Sequence, residues 1–148
     1  MLPFGRHLAA IWVQAYEGGV AAGIGPARRG KSSMGRLTTH VLDTAVGKPA
    51  ARLAVELWRM DGGAVQVASG HTNADGRLDQ PILEGAKFSA GTYELRFHVG
   101  DYLRTSQRVT GPTFLDVVPI RFSVTSSDEH YHVPLLVSPY GYSTYRGS

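Results

Sequence analysis

The segment Arg52-Leu53-Ala54-Val55-Glu56-Leu57-Trp58-Arg59-Met60 alternates Leu53, Val55 and Leu57 with Arg52, Ala54, Glu56 and Trp58. A period of two marks a strand with one buried face, because successive side chains on extended backbone point to opposite sides. The pattern recurs. Leu37 to Asp43, Ala64 to Ala68, Thr92 to His98, Ile120 to Val124 (entered through Phe114 to Pro119), His130 to Val137 and Tyr140 to Tyr145 read as further strands. Between them stand Gly47-Lys48-Pro49, Asp61-Gly62-Gly63, Asn73-Ala74-Asp75-Gly76 and Ser138-Pro139, residue types that set turns through their backbone geometry. Gly100 to Ser106 lacks the alternation and reads as a short helix or a loop. Seven to eight short strands, one short helix at most and no internal repeat predict an all-β chain folded as a two-sheet antiparallel sandwich.

With 148 residues, the chain suits one domain with a substantial core. Its 43% hydrophobic and 18% charged residues are those of a soluble globular protein, and no run approaches the roughly 18 apolar residues of a membrane span. No membrane association is expected, and the location is expected to be cytoplasmic unless residues 1–33 are a targeting segment. The absence of cysteine removes disulfides, thiol nucleophiles and thiolate metal sites, so a metal would need histidine and carboxylate ligands. The net charge of +3 invites a nucleic-acid reading until its location is considered. Arg6, Arg28, Arg29 and Lys31 against Glu17 carry the whole excess, while residues 34 to 148 hold 11 basic and 11 acidic groups. A phosphate-tracking groove needs clustered cations in the folded part, so no nucleic-acid partner is expected.

Residues 1–33 show neither period and are rich in Gly and Ala. A disordered or cleaved leader and a weak targeting peptide are both compatible with them. The preferred reading is plainer: Met34 is the true start and 1–33 come from an upstream initiation codon, since strand patterning begins just after Met34. The domain is expected over 34–148.

The chemistry-bearing residues concentrate near the end of the chain. His130 and His132 share one strand face, with Tyr131 and Val133 on the other. Two imidazoles so close disfavour double protonation, which keeps at least one neutral and able to accept a proton; a polar face with two incidental histidines is the plainer alternative. His-X-His can also supply two metal positions, with His40, His71 or His98 as a third, but no H-E-X-X-H helix or Asp-rich loop accompanies it, and no metal is assigned. His40 alone reads as an ordinary strand histidine and Arg77 as a solvated turn flank. Tyr145 and Arg146 fall on opposite faces if the last strand stays regular, so both serve one site only if the terminus twists or the site lies at a subunit seam. Tyr131, Tyr140 and Tyr142 read as packing or interface residues.

Taken together, three segments resemble the transthyretin-related 5-hydroxyisourate hydrolases over essentially all of residues 35 to 148: Leu37-Thr38-Thr39-His40-Val41-Leu42-Asp43 with Gly47-Lys48-Pro49-Ala50; Thr72-Asn73-Ala74-Asp75-Gly76-Arg77; and Glu129 to Leu136 through the closing Tyr145-Arg146-Gly147-Ser148. The closing tetrapeptide is the specific element. Transthyretin, a hormone carrier, has the same sandwich but lacks this ending and the histidine set. The resemblance implies a prealbumin-like fold and a homotetramer with sites in a central channel. It also implies hydrolysis of 5-hydroxyisourate to 2-oxo-4-hydroxy-4-carboxy-5-ureidoimidazoline in urate breakdown, without a cofactor. It places catalysis on His40, Arg77, His132 and Ser148, and substrate binding on His40, Arg77, Tyr145 and Arg146. In this scheme His132, helped by His40, activates water, Arg77 binds or polarises the carbonyl, and residues appended after Ser148 should lower activity. His130 is left without a role. A non-catalytic carrier of a small aromatic ligand is the alternative.

Overall fold

The computed structural model describes residues 34–148; the leader, targeting and start-site readings of 1–33 lie outside the described residues. Eleven strands and one α-helix follow in order: β1 Arg36–Thr38, β2 Val41–Asp43, β3 Lys48–Pro49, β4 Ala54–Arg59, β5 Val65–His71, β6 Leu83–Glu84, β7 Gly91–His98, α1 Val99–Thr105, β8 Val117–Val124, β9 His130–His132, β10 Leu135–Ser138 and β11 Gly141–Thr144. Their number exceeds the seven to eight read from periodicity because the runs from Leu37 and from His130 are each broken into two, and because β3 and β6 are two-residue strands too short to show a period. The segment Gly100 to Ser106, read as a helix or a loop, falls on α1. Among the described residues, no helix is long and apolar enough to cross a membrane.

One layer is a four-stranded antiparallel sheet in the order β5-β4-β7-β8. The opposing layer is two short sheets, β6-β1-β9 and β11-β10-β2-β3. Leu53, just ahead of β4, and Val55, Leu57, Tyr93, Leu95 and Phe97 from the first meet Leu37, Val41, Tyr131, Leu135 and Val137 from the second in a single apolar core. Each of these positions is the inward member of an alternating pair, as the period of two requires.

The second layer is not wholly antiparallel. β1 runs parallel to β9 and β2 parallel to β10, pairings that local alternation cannot reveal. Its interruption has a chemical cause: Pro134 has no N–H to donate, so the ladder lapses where the run from His130 passes through it. The Thr39 hydroxyl donates to the Val133 carbonyl at 2.7 Å, the Val133 N–H donates to the Thr38 carbonyl, and the Leu135 N–H donates to the His40 carbonyl. These three bonds span the gap. His40 sits at the gap, outside both strands.

A buried carboxylate ties the helix to this layer. Asp43 is fully buried and accepts hydrogen bonds from the Tyr102 hydroxyl at 2.8 Å, the Arg108 guanidinium at 2.7 Å and the Ala45 N–H at 3.0 Å. Burial and the neighbouring carboxylate push the Tyr102 hydroxyl up to about 12, so it stays a donor.

Candidate active site

β1 and β9 place Arg36 opposite His130, Leu37 opposite Tyr131 and Thr38 opposite His132. Leu37 and Tyr131 are buried in the core, so Thr38, His130 and His132 share the outer face. The Thr38 Oγ1 lies 2.8 Å from Nε2 of His130 and 2.8 Å from Nδ1 of His132. No described residue hydrogen-bonds Nε2 of His132, which leaves that nitrogen for a reacting molecule.

A side-chain turn delivers Arg77. The Asn73 Oδ1 accepts from the N–H groups of Asp75 and Arg77, Gly76 adopts φ +73°, and Arg77 then forms an isolated antiparallel bridge with His40. Glycine supplies that positive φ without a Cβ clash. The chain end is brought back by a second isolated bridge: the Gly147 N–H donates to the His132 carbonyl at 2.7 Å, and the His132 N–H returns to Gly147 at 3.4 Å. Ser148 therefore stands at the rim.

These elements enclose an open pocket of about 480 Å³, with Arg36, Thr38, Arg77, His130, His132 and Ser148 in its lining. That size and polarity suit a small heterocycle rich in carbonyl oxygens. Among the described residues, neither Arg36 nor Arg77 forms an ion pair, so their charge is available to a ligand. Burial lowers the pKa of His132 below the ordinary histidine value, and the positive charge of Arg77, His130 and His40 lowers it further. His40 is lowered by burial and then by Arg77, against an opposing influence from Asp75. His130 is lowered by burial and then by Arg36. Each of these shifts favours the neutral imidazole, the form that proton acceptance requires.

The pocket thus unites Arg77, His132 and Ser148, with His40 alongside Arg77 through their bridge. Tyr145 and Arg146 are not in its lining. β11 ends at Thr144, the alternation lapses, and both residues border a separate groove with Ile120, Phe122 and Tyr131. Arg146 donates to Glu129 Oε2 at 2.7 Å and lies 4.2 Å from the centre of the Tyr131 ring. Tyr131 is buried, as a packing residue should be, whereas Tyr140, Tyr142 and Tyr145 are exposed. His98 faces Glu56 at 3.4 Å instead of joining the His130–His132 pair, and no cluster of three potential metal ligands occurs among the described residues.

Sequence reasoning passed over Thr38 and Arg36. Thr38 shares the parity of His40, a signal that was present, but its place between two histidines depends on the parallel pairing of β1 with β9.

Residues 37–147 match the family model described as "HIUase/Transthyretin family". The chain belongs to the HIUase/Transthyretin family. It is 58% identical over 119 residues to "5-hydroxyisourate hydrolase 2" of Rhizobium meliloti, an alignment covering 79% of this chain and 99% of that one. Among solved structures, 5-hydroxyisourate hydrolase of Klebsiella pneumoniae superposes with TM-score 0.66 at 35% identity, covering 78% of this chain and 100% of that one. Sea bream transthyretin in complex with thyroxine superposes with TM-score 0.68 at 29% identity, covering 76% and 94%. This family therefore places different functions on one sandwich, and the side chains of the pocket must separate them.

Proposed function

We propose that this chain hydrolyses 5-hydroxyisourate to 2-oxo-4-hydroxy-4-carboxy-5-ureidoimidazoline, a step of urate degradation, with His132 as the general base. The observation that carries the assignment of the base is the engagement of His132 Nδ1 by Thr38 at 2.8 Å, which leaves Nε2 as the unengaged ring nitrogen of a residue that lines the same pocket as Arg77.

Amide hydrolysis requires a proton acceptor for water and a stabiliser for the oxygen that gains charge. Nε2 of His132 takes a proton as the water oxygen attacks the ring carbonyl carbon. The planar guanidinium of Arg77 offers paired donors to the developing oxyanion. The carbon–nitrogen ring bond then breaks, the proton passes to the departing nitrogen, and the carbonyl carbon becomes a carboxyl group. His40, lowered in pKa beside Arg77, assists as a second proton acceptor, and Ser148 orients the substrate from the rim. Arg146 serves by anchoring the tail through Glu129 and Tyr131.

A homotetramer belongs to the same reading. All four residues of edge strand β11, Tyr142 among them, are exposed, as are Tyr140 and Tyr145, and an exposed aromatic edge is suited to a second copy. Tyr145 would then bind substrate from a neighbouring copy. A cytoplasmic location completes the proposal.

The direct test follows the ultraviolet absorbance of freshly generated 5-hydroxyisourate with and without the protein. Accelerated disappearance over spontaneous decay supports hydrolysis; binding without acceleration identifies a carrier instead. Light scattering in solution reads the assembly.

A further inference from the structure

We propose that Thr38 and His130 are positioning residues that hold His132 in the tautomer protonated on Nδ1, so that its Nε2 presents a lone pair to the pocket. This rests on the reading of His132 as the base and gives His130 a role. The observation is a single hydroxyl between two rings, with Oγ1 of Thr38 2.8 Å from Nε2 of His130 and 2.8 Å from Nδ1 of His132.

A hydroxyl has one proton and so donates to only one of two such nitrogens; the other must bring its own proton. Two arrangements satisfy all three atoms. In the first, Thr38 donates to His130 Nε2 and His132 donates from Nδ1 to Thr38, leaving His132 Nε2 bare. In the second, His130 donates from Nε2, Thr38 donates to His132 Nδ1, and the His132 proton occupies Nε2, where it abolishes the base. The positive charge of Arg77 favours a lone pair over a proton on the pocket side, which selects the first. The tautomers of His130 and His132 are thus tied through one hydroxyl, although the rings themselves stand 6.3 Å apart between centres. When His132 becomes an imidazolium, its Nδ1–H bond to Thr38 is strengthened by charge.

The experiment is nitrogen-15 NMR of the histidine side chains in the full chain, near neutral pH, alongside steady-state kinetics. Wild-type His132 should carry its proton on Nδ1. Thr38→Val keeps the side-chain shape but removes the hydroxyl. It should give a mixed tautomer and lower kcat about tenfold, roughly one hydrogen bond's worth of orientation, with KM within about twofold. Thr38→Ser should recover most of that loss. His130→Ala should lower kcat similarly, and its combination with Thr38→Val should be no worse than either alone, since both break one chain of bonds. A wild-type His132 protonated on Nε2, or a folded Thr38→Val with wild-type tautomer and kcat, overturns the inference. Lack of any hydrolysis by wild type would instead overturn the assignment of function, and the wild-type tautomer would still decide the geometry.

Discussion

Gly147 lies against the side chain of His132 so closely that a methyl group on its Cα would come within 2.8 Å of Cδ2 and 3.1 Å of Cβ. The backbone of the two residues is already joined by their bridge, so neither can yield by simple translation. A side chain at position 147 therefore has no room unless the imidazole shifts. Gly147→Ala should displace that ring by a fraction of an ångström to an ångström and lower kcat up to about 100-fold, the scale of a misplaced reacting group. The core does not depend on this contact, so the melting temperature should stay within a few degrees. Kinetics with a thermal melt on the same preparation checks both.

The two groups assigned to the chemistry should fail in different ways. His132→Ala removes the base and should lower kcat by at least about 100-fold. Arg77→Gln removes charge and fork together and should lower kcat by about 100-fold or more, as for a lost oxyanion donor. It should also weaken binding of an anionic substrate analogue. Titration calorimetry with the analogue separates the variants, because His132→Ala should retain affinity that Arg77→Gln loses.

The pH profile has a definite sign. A base acts when deprotonated, so activity is lost as pH falls through its pKa. Burial and Arg77 lower both His132 and His40, which puts the acid limb of kcat/KM below the ordinary histidine value of about 6.5 and a plateau at neutral pH. In Arg77→Gln the residual activity should show its limb moved upward. For stability the same shift means that the unfolded chain binds more protons. The contribution is full above the unfolded pKa and declines as pH falls through the window from about 6.5 to the lowered values. Rate profiles and melts across acid pH test the two signs independently.

Asp43 offers a control remote from the proposed chemistry. Its carboxylate is buried with the Tyr102 hydroxyl and Arg108 guanidinium as donors. Asp43→Ala leaves a phenol and a guanidinium facing an unfilled space and should cost about 3 kcal/mol of stability, the scale of a broken buried charge pair. Activity per folded molecule should change little at a temperature where the variant is folded. Denaturant unfolding, read against active-site integrity, measures the difference.

Much of this site was legible before any coordinates. Alternation set Leu53, Val55 and Leu57 on one face, which is the buried one, and it paired His130 with His132 on one face. The Asn73 to Gly76 turn ahead of Arg77 was readable because asparagine and glycine act on backbone within a few residues of themselves. Thr38 as the link between two histidines was not. Nor was the interruption at Pro134 resolved into two strands, since the preceding run had the right period and only the missing N–H distinguished it. Tyr145 and Arg146 bordering the same groove depends on where β11 stops, and that in turn depends on its pairing with β10.

The amino-acid order alone determined the sandwich class, which side chains face inward, and which residue types could do hydrolytic chemistry, because those properties arise from contacts between near neighbours along the chain. Only the tertiary structure decided that Thr38 lies between His130 and His132, that Gly147 packs on the ring it backs, and that Arg77 reaches His40. The physical reason is that strands joined through an entire intervening sheet meet by core packing and backbone pairing, and no local periodicity encodes the partner or the register of such a meeting.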